Sequence, residues 1–184
     1  MTTNLNQTPS ANRTHIGIFG KRNAGKSSLI NAITGQNYAI VSDVLGTTTD
    51  PVLKSMELLP LGPVVIIDTP GLDDEGELGA LRVQKAYQIL NKTDIAVLVI
   101  DASLGITKED SDILKRIHEK EIPCVIVANK SDVCPICNLE DLQLPASDTA
   151  ILVSSKTGEH IHELKELIAQ QVPQDTTQKS IVIY

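Results

Sequence analysis

The sequence has no tryptophan, one phenylalanine and three tyrosines, so a core must be assembled from Ile, Val and Leu. Aliphatic cores of that kind suit buried parallel sheets, whose strands read as continuous apolar runs. Cysteine is scarce as well. Three residues, an odd and small number, exclude a disulfide framework and fit a reducing compartment. No apolar run approaches the roughly twenty residues that a membrane-spanning helix needs, and no signal peptide opens the chain. Positive charge is in deficit, with 16 Lys and Arg against 23 Asp and Glu. The resulting net charge of −7 repels nucleic acid and anionic membranes, and no local basic patch reverses it. The expectation is a cytoplasmic protein with no nucleic-acid or membrane partner. Its 184 residues suit one domain with a real core.

What is present is an alternation of strand-like and helix-like segments. Residues 1–13 are rich in Thr, Asn and Gln without an apolar period and read as a flexible lead-in. Thr14–Phe19 reads as a strand and Ser28–Ile33 as a helix, followed by a polar loop at about 35–50. Val52–Leu59 and Val64–Ile67 are joined by the short Pro60–Pro63 link, which predicts an antiparallel hairpin. Every later connection is long enough for a crossover. Helices are expected over Leu78–Leu90, over Lys108–Lys120, and from about Ile161 to just before Pro173. Strands are expected over Ile95–Ile100, Cys124–Ala128 and Ala150–Val153. The predicted fold is α/β: a mostly parallel six-stranded sheet with one antiparallel strand and helices on both faces, occupying residues 14–172. Ligands of such a sheet bind beyond the carboxyl ends of its strands. Residues 173–184 end in Ile181-Val182-Ile183-Tyr184 and read as a linker and the start of a following domain, in preference to a tail docked on the sheet edge.

The first strand runs directly into Gly20-Lys21-Arg22-Asn23-Ala24-Gly25-Lys26-Ser27. This is the G-x-x-x-x-G-K-S phosphate loop in the strand–loop–helix setting that gives the pattern its meaning. Backbone N–H groups over Asn23, Ala24, Gly25, Lys26, Ser27 and Ser28 would cradle a polyphosphate, and the positive end of the helix dipole points at the same oxygens. Lys26 is expected to reach the outer phosphates and the Ser27 hydroxyl to ligate Mg2+. Asp68-Thr69-Pro70-Gly71 ends an aliphatic strand; Asp68 would hold Mg2+ through a water, and the Gly71 N–H would bond the terminal phosphate and sense its loss. In Gly46-Thr47-Thr48-Thr49-Asp50 one threonine hydroxyl, taken as that of Thr48, would complete the Mg2+ shell. Loops whose order depends on the terminal phosphate form a switch.

Asn129-Lys130-Ser131-Asp132 at the end of the fifth strand supplies base choice. A carboxylate at Asp132 accepts from guanine N1–H and the 2-amino group, a pairing that adenine cannot offer. Lys130 would lie along the base, and Ser154-Ser155-Lys156 would put backbone N–H groups on guanine O6. Together these motifs predict the three-layer P-loop GTPase fold, binding GTP and GDP with Mg2+.

The same residues resemble the translation-factor-related GTPases, in the branch of tRNA-modifying and ribosome-assembly enzymes with Gly-Thr-Thr loops. Longer stretches are sharper. Gly20–Asn31, Ala39–Val44, Gly46–Val52, Leu61–Pro63 and Asp68–Gly79 resemble the GTPase domain of the HydF family of FeFe-hydrogenase maturation proteins. That resemblance covers roughly residues 14–171. It implies a GTP-hydrolysing switch in a homodimeric scaffold that carries a diiron precursor to FeFe-hydrogenase alongside two radical-SAM maturation enzymes. The dimerisation and iron–sulfur domains of that family lie beyond this region, so no iron–sulfur cluster is expected here. Two alternatives stand beside it: a GTPase domain associated with RNA, the ribosome or tRNA modification, and a non-catalytic GTP-binding interaction module. Resemblance to the potassium-activated GTPases further implies that Asn23 and the loop Gly46–Thr49 hold K+ beside the phosphates.

Leu72 stands where some GTPases carry a water-orienting glutamine, so slow intrinsic hydrolysis is expected. Glu75 or Glu77 could serve in its place, or that loop is simply a solvated acidic one. Cys134-Pro135-Ile136-Cys137 has the spacing of a metal clamp, but only Cys124, in a predicted buried strand, is left to join it. Ordinary loop thiols are the expectation. His15, His118, His160 and His162 read as solvated side chains.

Overall fold

A computed structural model of the chain describes residues 13–21, 24–35, 52–69, 76–133 and 138–172. Six strands form a single sheet: β1 (Thr14–Gly20), β2 (Val52–Leu58), β3 (Gly62–Asp68), β4 (Ile95–Asp101), β5 (Cys124–Asn129) and β6 (Thr149–Leu152). Their spatial order is β2-β3-β1-β4-β5-β6. Only the β2–β3 pair is antiparallel, as the short Pro60–Pro63 link predicts; the other four pairings are parallel. The helices are α1 (Lys26–Thr34), α2 (Gly76–Leu90), α3 (Lys108–Glu119) and α4 (Ile161–Gln171). The tail at 173–184 and the lead-in through residue 12 lie outside the described residues.

The alternation of side chains across each strand divides the core into two layers. One layer packs Ile16, Ile18, Val97, Val99, Val125 and Val127 under α1 (Leu29, Ile30, Ile33) and α4 (Leu164, Ile168). The other packs Phe19, Leu98, Ile100 and Ile126 under α2 (Ala86, Ile89, Leu90) and α3 (Ile113, Leu114, Ile117). The central strand β4 is buried along its apolar length, as a strand covered on both faces must be. Among the described residues no helix is long and apolar enough to cross a membrane.

The observed elements differ from the predicted ones mainly at their ends. α1 starts two residues before Ser28 because the phosphate loop itself turns into the helix, and α2 starts two residues before Leu78. α3 is fixed by a reciprocal cap in which Thr107 and Asp110 satisfy each other's backbone N–H groups. A short 3-10 turn at Leu139–Leu142, closed the same way by Asn138 and Asp141, had no signal in the apolar pattern.

The histidines are less free than the sequence suggests. His118 Nε2 lies 2.7 Å from Asp148 Oδ1, His160 Nδ1 lies 2.9 Å from the Leu152 carbonyl, and half-buried His15 has Nδ1 2.9 Å from the Arg13 carbonyl. His162 pairs with Glu166 one turn on at 3.1 Å. Cys124 is buried, as expected, and desolvation, reinforced by nearby Asp148, pushes its thiol up to about 12. A thiol held neutral in this way is a poor metal ligand or nucleophile.

Candidate functional site: a phosphate loop joined to a base-reading loop

The carboxyl ends of β1, β3, β4, β5 and β6 lie along one edge of the sheet, and Lys26, Asp68, Asn129 and Lys130 stand at or just beyond it. At the end of β1 the chain turns through Gly20, with φ of 144°. A side chain there would collide with the Val99 carbonyl of the neighbouring strand. Gly25 has φ of 91° and caps α1; a Cβ on it would strike the side-chain amide of Asn129. Both positions therefore need glycine for conformation and for space. Ala24 N–H donates to the Lys21 carbonyl at 3.2 Å, which closes the turn.

Lys26 opens α1 and is 5% exposed. Its Nζ donates to the Thr69 carbonyl at 2.9 Å, so the ammonium is carried across from the β1 loop to the end of β3. Thr69 is itself held to β1, with its N–H and hydroxyl both donating to the Ile18 carbonyl at 3.3 Å and 2.6 Å. Beside it, burial raises the Asp68 carboxyl above its ordinary range, with Lys26 and then Lys54 pulling it back in part. A carboxylate this desolvated gains from a cation, and the Ser27 hydroxyl stands in the first turn of α1. Hard oxygen donors, few carboxylates and an adjacent phosphate cradle suit Mg2+, which prefers to share its shell with phosphate and water. No cluster of three or more His, Cys, Asp or Glu that would form an all-protein metal cage occurs among the described residues. Asn23, Thr48, Gly71, Leu72, Glu75, Cys134 and Cys137 lie outside the described residues, and Glu77 falls in the first turn of α2.

The Asn129–Asp132 loop is tied to the phosphate loop through the Asn129 side chain. Asn129 is 2% exposed; its Nδ2 donates to the Ala24 carbonyl at 3.1 Å, and its Oδ1 accepts from the Ser155 N–H and hydroxyl at 3.1 and 2.9 Å. Three segments far apart in sequence therefore converge on one buried amide. Lys130 sits in the left-handed region at φ 66°, which sends the chain away from β5. The loop is then recaptured by Ser131 N–H donating to the Val153 carbonyl at 3.1 Å. Asp132 is exposed, and one of its oxygens is fixed by the Ser154 hydroxyl at 2.8 Å. Ser154 is fully buried, and its Oγ also accepts from the Thr157 N–H at 3.2 Å. Lys156 lies exposed at the turn.

Sequence reasoning missed Asp101, whose carboxylate meets Lys130, and Glu159, which accepts from the Ser131 hydroxyl at 3.0 Å. The available signal for the first was an acidic residue at the end of an aliphatic strand, the same signal that marked Asp68.

A phosphate loop, a carboxylate at the end of β3 and an Asn-Lys-Ser-Asp loop at the end of β5 on this sheet topology define a P-loop GTPase domain. The chain belongs to the family whose model is described as 50S ribosome-binding GTPase, which matches residues 15–130. It is 35% identical to the tRNA modification GTPase MnmE of Nitrosomonas eutropha over 84% of this chain and 34% of that protein. With the MnmE of Helicobacter acinonychis it shares 34% identity over 97% of this chain and 40% of the relative. The chain thus spans well under half the length of these relatives. In three dimensions it is similar to Aquifex aeolicus Era bound to GDP·AlF4−, with a TM-score of 0.73 and 27% identity, covering 86% of this chain and 56% of that one.

Proposed function

We propose that this domain is a GTP-driven switch that regulates assembly or delivery of a diiron precursor within an FeFe-hydrogenase maturation scaffold. The observation that carries the GTP half of this reading is the Asn129 amide, which joins the Ala24 carbonyl to Ser155. Base and phosphates are then read by one connected unit. In the reading, Lys26 moves from the Thr69 carbonyl to the outer phosphates, Asp132 accepts from the guanine edge, and Lys156 is left to face O6, because the expected N–H groups of Ser154 and Ser155 are already taken by the Glu159 carbonyl and Asn129 Oδ1. Ser27, Thr48 and Asp68 would hold Mg2+, which supplies charge neutralisation between the phosphates. Release of the Gly71 contact on hydrolysis would free the loops around Thr48 and Gly71. The GTPase unit is taken as 14–172, with 1–13 and 173–184 as flanking segments.

The maturation half rests on the run of residues from Gly46 to Val52 and from Asp68 to Gly79, which resembles HydF. A second reading, a role in tRNA modification, has more support from the relatives than the first, with identity of 34–36% to proteins of that name. The net charge of −7 speaks against direct RNA contact by this domain. The full-length protein, co-expressed with the two radical-SAM enzymes and then purified, is expected to activate FeFe-hydrogenase apoprotein and to retain no tRNA at low salt. Retained tRNA together with failed activation would replace the first reading by the second.

Asn23 and Gly46–Thr49 are further proposed to hold K+ beside the phosphates. A cation there would supply the positive charge that an arginine finger supplies elsewhere, in a protein with Leu72 at the glutamine position. GTP turnover is expected to be several-fold faster in KCl than in NaCl of equal ionic strength, and Asn23→Ala should erase the difference. Equal wild-type rates in the two salts would exclude K+ activation.

A further inference from the structure

We propose that Asp101 is a positioning residue of the base site: it fixes Lys130 so that the lysine stem forms a pre-set floor for the purine face. The proposal deepens the GTP-binding reading and rests on it. Asp101 ends β4 and pairs in register with Asn129 at the end of β5. The ladder continues one step past the strands, where Ala102 N–H donates to the Asn129 carbonyl at 2.9 Å. Residue 101 is thus locked laterally against the start of the base-reading loop.

The two carboxylate oxygens of Asp101 have separate tasks. Oδ1 accepts from the Ser103 N–H at 2.8 Å and from the Ser103 hydroxyl at 2.5 Å, an Asx-type turn that sets the carboxylate plane. Oδ2 accepts from Lys130 Nζ at 3.0 Å. Burial pushes the Asp101 carboxyl up. The hydrogen bonds from the Ser103 hydroxyl, Lys130 and the Ser103 N–H, with the Lys130 charge, outweigh that and hold it below its ordinary value. The group is therefore a carboxylate at neutral pH.

An exposed ion pair would ordinarily contribute little. Here the acid side chain is only 14% exposed, and the lysine at 36% is the more accessible member. The pairing also acts on a side chain whose backbone is already confined, at φ 66°. A lysine stem carries large rotamer freedom, and a flexible floor must lose it each time a base docks. Asp101 removes that loss in advance by holding the far end of the stem. In the proposal the Asp101 side chain acts on the base through Lys130, which separates it from the hydrogen-bonding role of Asp132.

The test uses the 184-residue chain and titration with GDP and with inosine diphosphate, which lacks the 2-amino group. Asp101→Asn is the informative variant, because its amide oxygen can keep the Ser103 turn while its NH2 opposes Lys130 Nζ. GDP affinity is expected to fall about 2–10-fold, the range associated with immobilising one rotamer-rich side chain. Inosine diphosphate affinity should fall by the same factor, since a floor touches the face of the base and not its edge. In a Lys130→Met background, Asp101→Asn should cost nothing further, whereas a purely structural role would add its full cost there. Unchanged GDP affinity in Asp101→Asn, or full additivity in the double variant, would overturn the proposal. Absence of GDP binding by the wild-type chain would instead overturn the GTP-binding reading on which it rests.

Discussion

Asp132→Asn is expected to lower GTP affinity by roughly 10²–10⁴-fold, the equivalent of two charge-assisted hydrogen bonds. In the proposed base site the carboxylate would accept twice from guanine, at N1–H and at the 2-amino group. Its orientation is set by the buried Ser154, whose hydroxyl donates to Asp132 Oδ1 at 2.8 Å. In the variant that hydroxyl holds the amide oxygen, which turns the amide NH2 toward the 2-amino group of guanine, donor against donor. Xanthine carries a carbonyl at that position, so the same amide finds an acceptor. Xanthosine triphosphate should therefore bind the variant more tightly than GTP does, the reverse of the wild-type order. A competition titration with both nucleotides checks this, and an unaltered GTP affinity would remove Asp132 from the base site.

The second large effect is at Lys26. Lys26→Ala should reduce GTP turnover on the order of 10²–10³-fold, as loss of a charge aimed at the transferring phosphoryl group does. The fold should persist, because loss of the bond to the Thr69 carbonyl costs about 1 kcal/mol. Ser27→Ala should weaken binding of the Mg2+–GTP complex or abolish turnover, again without altering circular dichroism. Single-turnover phosphate release measured beside the spectrum separates these outcomes. Normal hydrolysis by both variants would place the site elsewhere than the phosphate loop.

Strands were legible in the sequence wherever aliphatic runs were bounded by polar or turn residues. Ile95–Ile100 and Cys124–Ala128 are such runs, and each ends one residue beyond its predicted limit, at Asp101 and at Asn129. Those two extra residues make the side-chain contacts that tie β5 to the phosphate loop and β4 to Lys130. The apolar pattern stops where the core stops, while the backbone ladder continues to the polar residue that turns outward. The phosphate loop was legible because its glycines and lysine are contiguous. Pairings such as Asn129 with Ala24, or Asp101 with Lys130, were not, because they join residues 105 and 29 positions apart and arise only from the strand order. The contact of His118 with Asp148, 30 positions apart, escaped for the same reason.

The strand order has a metric consequence. The phosphate loop leaves β1 and the base loop leaves β5, with β4 between them. Two strand spacings, about 10 Å, therefore separate the anchor points. That interval is held by backbone hydrogen bonds and owes nothing to which aliphatic side chain fills the layer beneath. For a nucleotide bound as proposed, the sheet would work as a ruler laid crosswise to it. Exchanges among Ile, Val and Leu in the core can alter how firmly the domain holds together while the graduations stay where they are, so selectivity for the length and shape of the ligand is insulated from drift in the interior.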